Sequence, residues 1–541
     1  MPSENFQFDV IVIGAGINGA GIARDAAMRG LKVLLLDKGD IGGGTSSWST
    51  RLIHGGLRYL EHGELRLVRE SLRERSCLLN IAPHLVRPLS LLVPVYKKAR
   101  RGWWTIRAGM IAYDALSVDQ TLPRHRMLEL AETLEQAPAL NREGLRGAAV
   151  YFDAQVEFAE RLVLENVLSA VANGATVLTY ARVEKLTVEN GVLRGIEFTR
   201  EDRDSRSNAE RRSGSIVINA AGPWIDQILT DSNAVSPRLI GGTKGSHIIL
   251  APFPGAPSTA IYVEAETDGR PFFVIPWNGK YLIGTTDIRY QGDLDHVQIT
   301  NEEIDYLLRE TNRVLPTAKL TREQILYAYS GVRPLPFTGD KDEQRITRQH
   351  FIREHPQLPN LFSIVGGKLT TYRSLAEQTV DLMLKKLPPD GGRSVICKTG
   401  HEPLPGAVTN DFDTFRANFK QHSPLQETTN NRLLRIYGTR ASLILDLIEG
   451  EASLGEAFDS ETGAVAAEVV FAFKSEFATT LADCLLRRTM VGLNSACGLE
   501  AVEAAGAIAR KSLCWSEERT EQEISAYRQY VENVLCGTKC L

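Results

Sequence analysis

The residues in this sequence best equipped for chemistry stand next to glycine. His54 opens His54-Gly55-Gly56 and is followed by Arg58 and Tyr59, which sets a titratable base and a cation beside closely approachable backbone. His247 follows Lys244-Gly245-Ser246, Arg333 stands in a rigid segment between Gly331 and Pro334, and Lys368 follows Gly366-Gly367. Near the start, Gly14, Gly16 and Gly19 form G-x-G-x-x-G. Gly42-Gly43-Gly44 then leads into Thr45, Ser46 and Ser47, a second concentration of backbone and hydroxyl donors suited to phosphate. Each feature also has a plain structural reading: His247 as a satisfied core histidine, Arg333 as a surface ion pair, 42–60 as a solvated loop.

The element that must position the first set is one βαβ unit over 8–40. Residues 10–13 and 33–36 are continuous apolar runs. Between them Ile17, Ala20, Gly21, Ala23, Ala26 and Ala27 form one small apolar helical face that can sit close to a sheet. In that setting Gly14 makes the tight turn, Gly16 admits a pyrophosphate to the helix N-terminus, and Gly19 lets helix and strand pack closely. Asp37 ends the second strand, where a carboxylate can accept from a ribose 2′-hydroxyl. Strand, helix and acid together make this a dinucleotide-binding signature.

The 541 residues allow two or three domains with ample core. A net charge of −4 and a pI near 6.3 give no basic field for nucleic acid. Met1 to Gln7 is short and polar, unlike a signal peptide. The longest uncharged run, 245–263, is interrupted by Pro252, Pro254 and Pro257 and does not read as a membrane span, so the chain reads as soluble or peripheral. Seven cysteines form no C-x-x-C and no zinc spacing, so no metal is expected and a reducing, cytoplasmic setting is. Cys536 and Cys540 are the one close pair.

Further along, 64–83 and 157–172 read as helices, 175–180 as a strand, and 183–188 and 193–198 as further strands. The stretch 201–214 reads as a solvated loop and 215–225 as a buried strand entering a glycine turn. Two apolar strands around Asn278-Gly279 carry the strongest two-residue hairpin signal. Residues 304–314 read as a helix, and 363–373 as a strand entering a glycine turn, with a helix N-terminus at Gly366-Gly367. A linker is expected at 388–392, with amphipathic helices beyond it over 432–448, 464–473, 478–486, 499–512 and 516–534. Lys97, Lys98, Arg100, Arg101 and Arg107 cluster around Trp103 and Trp104, a composition that suits a membrane interface or, failing that, a charged loop with inward tryptophans.

The segments GAGINGAGIARDAAMRGLKVLLLDKGD and TSSWSTRLIHGGLRYLEHGELRLVRESLRER resemble the FAD-dependent glycerol-3-phosphate dehydrogenases of the D-amino-acid-oxidase-like superfamily. Matching segments recur at NAAGPW, at Lys244-Gly245-Ser246-His247, around Arg333, at 363–373 and at Leu485-Leu486-Arg487-Arg488-Thr489, so the resemblance covers nearly the whole chain. One departure is Asp37, where such flavoproteins commonly carry Glu.

The resemblance implies an α/β fold: a Rossmann-type FAD-binding domain (1–80, 150–240, 330–390), an interleaved antiparallel-sheet substrate domain (81–149, 241–329) and an all-helical C-terminal domain (395–541). It implies FAD held by Gly14, Gly16, Gly19, Asp37, Thr45, Ser46, Ser47, Arg51, Gly222, Gly366, Gly367, Leu369 and Thr370. Substrate contacts fall to Arg58, Tyr59, Arg333, Lys368 and Thr371. His54 is the first choice of base and His247 the second, with Arg333 stabilising charge. The implied partners are sn-glycerol 3-phosphate, quinone and a membrane surface met through Lys97, Lys98, Arg100, Arg101, Trp103 and Trp104, in a cytoplasmic, peripherally attached protein; a homodimer is left open. Three alternatives stand beside this reading: an oxidase delivering electrons to oxygen, an amino-acid or amine oxidase, and a flavin-binding interaction protein without turnover. Arg333, Lys368 and Arg58 bring more positive charge than one carboxylate needs, which argues against the second.

Overall fold

The computed structural model describes residues 6–535 apart from 62, 98, 118–121, 201–208, 233–236, 340–345 and 389–392. The chain opens with strand β1 (Phe8–Ile13), helix α1 (Ile17–Met28) and strand β2 (Val33–Leu36). β1 lies parallel to β2, with Val10 opposite Val33 and Ile13 opposite Leu36. Its other edge is parallel to Glu210–Asn219, which in turn is parallel to Leu358–Val365. Thr176–Leu178 extends the sheet beyond β2. Val10 to Val12 and Leu34 to Leu36 are inaccessible to solvent, which is why they read as unbroken apolar runs rather than alternating ones. A Cβ on Gly19 would overlap the carbonyl oxygen of Gly14, so α1 can descend onto β1 only with glycine there.

The second sheet has ten strands and is mostly antiparallel. Its longest pair is Val86–Tyr96 with Leu145–Val156, toward one end; toward the other, Thr243–Leu250 is flanked by Lys280–Gly284 and Ile325–Arg333. Asn278 and Gly279 both take positive φ, 49° and 71°, and join Pro271–Trp277 to Lys280–Gly284 in the two-residue hairpin anticipated from their types. The sheets divide the chain differently from the sequence reading in several places, among them residues 150–156, assigned to the FAD-binding domain but part of the second-sheet strand Leu145–Val156. Leu52–Ile53 and Ile325–Arg333 belong to the second sheet, so Arg333 projects from the substrate side, because its strand pairs with Thr243–Leu250 rather than with β1. The expected loop at 201–214 is strand from Glu210 onward, paired antiparallel with Val192–Arg200, and its charged residues Glu210 to Arg212 sit at its solvent-accessible start.

Beyond the first two sheets the chain is helical except for a two-stranded ribbon, Ala457–Asp459 with Ala464–Val465. The single helix expected over 432–448 is two, Glu427–Tyr437 and Ala441–Gly450, because Gly438 takes φ +57° and lies against the Gly406 carbonyl where no side chain fits. The helical part shares its core with the second sheet: Trp277 and Tyr327 pack in the same cluster as Leu433, Tyr437 and Phe471. Buried ion pairs reinforce that seam. Arg161 meets Glu476 with both guanidinium nitrogens, at 2.5 and 2.9 Å, and Arg487 and Arg488 both grip Asp40. The expected linker beyond Pro388 and the Cys536/Cys540 pair lie outside the described residues. Among the described residues, no helix is long and apolar enough to cross a membrane.

Candidate active site

A cavity of about 740 Å³ runs along the carboxyl ends of β1 and β2, within the size range of ligand and cofactor sites, roughly 300–1,000 Å³. Gly14 (φ +103°) turns the chain out of β1, and its N–H donates to Leu36. Asp37 accepts from the Ala15 and Gly39 backbone N–H groups at 2.6 and 2.9 Å, which stations its carboxylate at the head of α1. Ser46 Oγ accepts from the Ile17 N–H at 3.0 Å, and Thr45 Oγ1 donates to the Val332 carbonyl at 2.7 Å, bringing the hydroxyl loop over the helix N-terminus.

Gly14, Gly16, Asp37, Thr45, Ser46, Gly222, Gly366, Gly367, Lys368 and Leu369 all line this cavity. Asn18 Oδ1 and Trp224 Nε1 also face it, buried and without hydrogen-bond partners among the described residues. Orphaned polar atoms beside a glycine-lined helix N-terminus fit a polar dinucleotide, and the residues present fit FAD.

Four expected cofactor residues are placed elsewhere. Gly19 does its work in helix–strand packing. Ser47 donates to the Gly42 carbonyl at 2.6 Å, closing its own loop. Arg51 is fully buried and bidentate to Glu160, both bonds 2.7 Å, so its charge is spent inside the protein. Thr370 Oγ1 accepts from the His54 N–H at 3.2 Å. Nor does a helix begin at Gly366-Gly367. Both take positive φ, 79° and 96°, which a right-handed helix excludes, and the helix starts at Tyr372 after Thr371.

Beside the cavity lies a concentration of cations. Asp287, almost wholly buried, meets three guanidiniums: Arg333 at 3.0 Å, Arg348 at 3.0 Å and Arg270 at 3.1 Å. Arg333 also donates to Thr285 Oγ1 at 2.9 Å. Burial first, then the neighbouring Arg348, pulls Arg333 down to about 9. The Lys368 ammonium donates to Ser71 Oγ at 2.6 Å and lies 4.6 Å from the centre of the Tyr59 ring; burial brings it down to about 7. Arg348, Arg58 and Arg333 all act electrostatically on the Tyr59 phenol, so these five residues form one electropositive group. Thr371 is buried behind it, its N–H donating to the Lys368 carbonyl.

Sequence reading passed over Arg348, Arg270 and Asp287. Asp287 did carry a signal, an acid directly after the buried strand Lys280–Gly284. Arg348 stands in a stretch without glycine motif or periodicity.

The two histidines occupy different corners. His247 sits in the strand Thr243–Leu250 opposite Gly284, whose missing side chain makes room for the imidazole. Its Nε2 is 2.9 Å from Thr50 Oγ1, its ring lies 4.9 Å from that of Tyr329, and its Nδ1 is buried with no hydrogen-bond partner among the described residues. Burial, then Arg333 and Arg51, hold it well below the ordinary histidine range. Half-buried His54 is pushed down to about 3 by burial, Lys368 and Arg75. Both are neutral at pH 7, and the same surroundings make each a weak base in the free protein.

Of the membrane segment, Lys98 lies outside the described residues. Arg101 is ion-paired to Glu61 and Glu264. Trp103 packs inward against Gly147, whereas Trp104 is 72 % exposed on the helix Trp103–Leu116.

Comparison with known proteins adds three findings. Residues 9–382 match the FAD dependent oxidoreductase family and 397–520 the C-terminal domain of alpha-glycerophosphate oxidase. Glycerol-3-phosphate dehydrogenase of Synechocystis is 47% identical over 99% of both chains, and D-erythritol 1-phosphate dehydrogenase of Brucella abortus is 38% identical over 89% of this chain and 94% of its own. The crystal structure of glycerol-3-phosphate dehydrogenase from Bacillus halodurans with FAD superposes with a TM-score of 0.78 at 27% identity, covering 98% of this chain and 95% of that one.

Proposed function

This chain belongs to the FAD dependent oxidoreductase family, and on that premise we propose that it oxidises sn-glycerol 3-phosphate at C2 to dihydroxyacetone phosphate and passes the electrons to membrane quinone. The observation that carries the substrate is the collection of Arg333, Arg348 and Arg270 on the single carboxylate of Asp287. Three guanidiniums against Asp287, with Asp268 3.7 Å from Arg270 as a second carboxylate, still leave a positive surplus that a phosphate anion neutralises, and planar forks suit its oxygens. Arg58, Tyr59 and Lys368 complete the group around that anion.

FAD, when bound, supplies the acceptor for the C2 hydride. Gly14, Gly16, Asp37, Thr45, Ser46 and the Gly366-Gly367 turn would hold it. The hydroxyl proton must go to a neutral base, for which His247 and His54 are the two candidates. Arg333 is the largest charged contributor to the low proton affinity of His247. A dianion seated on Arg333 relieves that effect, so substrate binding itself strengthens the base.

The quinone reading is supported by the helix Trp103–Leu116, which presents Trp104 and Ile111 outward with Arg107 over the Trp104 ring. Oxygen is the competing acceptor, favoured by the kinship of 397–520 to an oxidase domain. The decisive experiment is an anaerobic absorbance spectrum before and after sn-glycerol 3-phosphate, repeated with D-erythritol 1-phosphate. Bleaching of the flavin by the first supports the substrate; bleaching only by the second reassigns it; a peroxide assay in air separates the acceptors.

A further inference from the structure

The cavity assigned to FAD has a wall that neither the dinucleotide motifs nor the family match accounts for. The C-terminal family match ends at residue 520, yet Ala526, Tyr530 and Val534 beyond it line the same cavity as Gly14 and Asp37. They come from the last helix, Glu517–Tyr530, and the turn Val531–Leu535.

At the β2 end of the cavity this segment meets an arginine pair that is itself clasped to Asp40. The Arg487 charge acts on the Tyr530 phenol, Arg487 donates to Asp40 at 2.5 Å, and Arg488 donates to Asp40 at 2.6 Å. Asp40 follows Asp37 by one short turn, so the clasp closes on the loop that carries the ribose-side carboxylate. On the opposite rim Gln298 Nε2 donates to the Asn533 carbonyl at 2.7 Å, and the loop containing Gln298 returns to β2 through the ion pair of Asp295 with Lys38. Leu294, Asp295 and Val297 of that loop line the cavity too. The rim is thus a closed chain of contacts running from Asp40 through Arg487, Tyr530, Asn533, Gln298 and Asp295 to Lys38.

We propose that residues 521–535 are a cofactor-retaining wall: the terminal helix and turn close the ribose–adenine end of the cavity, with Tyr530 and Arg487 as positioning residues for FAD. A ligand held between the glycine turn and this wall leaves only when the rim opens, so the wall acts on the rate of FAD release. It also gives the helical C-terminal part, which carries no motif of its own, a task at the flavin site.

The test is FAD release from the full-length holoenzyme, followed by the rise in flavin fluorescence on dilution. Tyr530→Ala should release FAD about tenfold faster than the wild type, whereas Tyr530→Phe, which keeps the ring, should restore most of the retention. Ala526 is exposed on the last helix, where a change of side chain should cost little stability. FAD carries a negatively charged pyrophosphate, so at low ionic strength Ala526→Glu should release it roughly fivefold faster than Ala526→Lys, a gap that closes with added salt. A purely structural role would not distinguish the sign of that charge. Release within about twofold of wild type for Tyr530→Ala, together with equal rates for the two Ala526 variants, overturns the proposal. Neither outcome depends on which polyol phosphate is oxidised, so failure here is separable from failure of the substrate reading.

Discussion

The guanidinium of Arg333 occupies the space that a side chain on Gly245 would fill. Gly245 stands opposite Gly331 in the antiparallel register, which makes Arg333 its diagonal neighbour on the same face of the sheet. A Cβ at Gly245 would overlap the guanidinium itself. The glycine therefore sets where the arginine lies, and through it the balance of charge around Asp287.

Gly245→Ala should push Arg333 off Asp287 and Thr285 while leaving the dinucleotide cavity intact. Charge-assisted hydrogen bonds are worth about 1.5–3 kcal/mol each, so KM for the phosphorylated substrate should rise roughly 10- to 100-fold. Flavin content should stay at the wild-type level. Steady-state kinetics beside the flavin absorbance ratio check this, and an unchanged KM would remove Arg333 from the phosphate site.

Lys368 predicts a pH dependence. Its ammonium is lowered to about 7 in the free protein, chiefly by burial, and a bound dianion raises it again. Above pH 7 the lysine must therefore take up a proton on binding, so substrate affinity falls as pH rises through that value. A phosphate ester loses its second proton at about pH 6, so affinity also falls on the acid side as the dianion disappears. Substrate dissociation constants measured by flavin perturbation from pH 5 to 9 should pass through a best value between these limits. Lys368→Arg should abolish the alkaline limb and keep the acid one.

The two histidines separate by kinetics. His247→Gln should lower kcat by about 10²–10⁴, the ordinary scale of general-base catalysis, with a modest change in KM. His54→Gln should act mainly on KM, because its neighbours are Lys368 and the loop carrying Arg58. The reverse pattern would exchange their roles.

Much of this was legible in the sequence for a physical reason: glycines at a strand–helix junction and an acid after the second strand serve one local geometry. The same holds for Asn278-Gly279, whose residue types favour the positive φ that its two-residue turn requires. What escaped is what depends on distant partners. Arg51 looks, among Ser49, Thr50 and His54, like a phosphate ligand; only the fold brings Glu160 beneath it. Arg348 and Arg270 become a pair only through Asp287, and no spacing along the chain encodes that meeting. Trp103 and Trp104 are adjacent and alike in sequence, yet the helix turns one inward and the other out. The terminal helix carries no motif, so its place on the flavin cavity could not be read from composition.

The seam between the helical C-terminal part and the rest is expected to be acid-sensitive. Burial would raise Glu476, but Arg161 and Arg440 outweigh it and hold the carboxyl at about 2, against 4.5 ordinarily. Between those values the unfolded chain binds a proton that the folded chain does not. The contribution is therefore complete above pH 4.5 and fades as pH falls toward 2. Glu476→Gln leaves Arg161 buried without its counter-charge and should cost about 3–5 kcal/mol near neutrality. Urea unfolding across pH 3 to 7 should show a lower midpoint and a flatter acid slope in the variant.

The proposed membrane docking narrows to one face of one helix. Trp104 and Ile111 are 72 % and 53 % exposed and lie seven positions apart, two helical turns along the same side. Arg107 sits between them with its guanidinium 5.4 Å from the Trp104 ring, and Lys97 and Arg100 are exposed just before the helix. Arg101 and Trp103 are occupied within the protein and should contribute little. Apolar insertion of two side chains plus attraction of roughly 1 kcal/mol per exposed cation would give reversible binding to anionic bilayers. Trp104→Ser with Ile111→Ser should weaken binding to phosphatidylglycerol vesicles about tenfold or more, and neutralising Lys97, Arg100 and Arg107 should remove its salt dependence. Reduction of a soluble quinone analogue should be unaffected in both variants. Vesicle binding equal to wild type in both would detach this helix from the membrane, and the route of electrons to quinone would have to be sought on another surface.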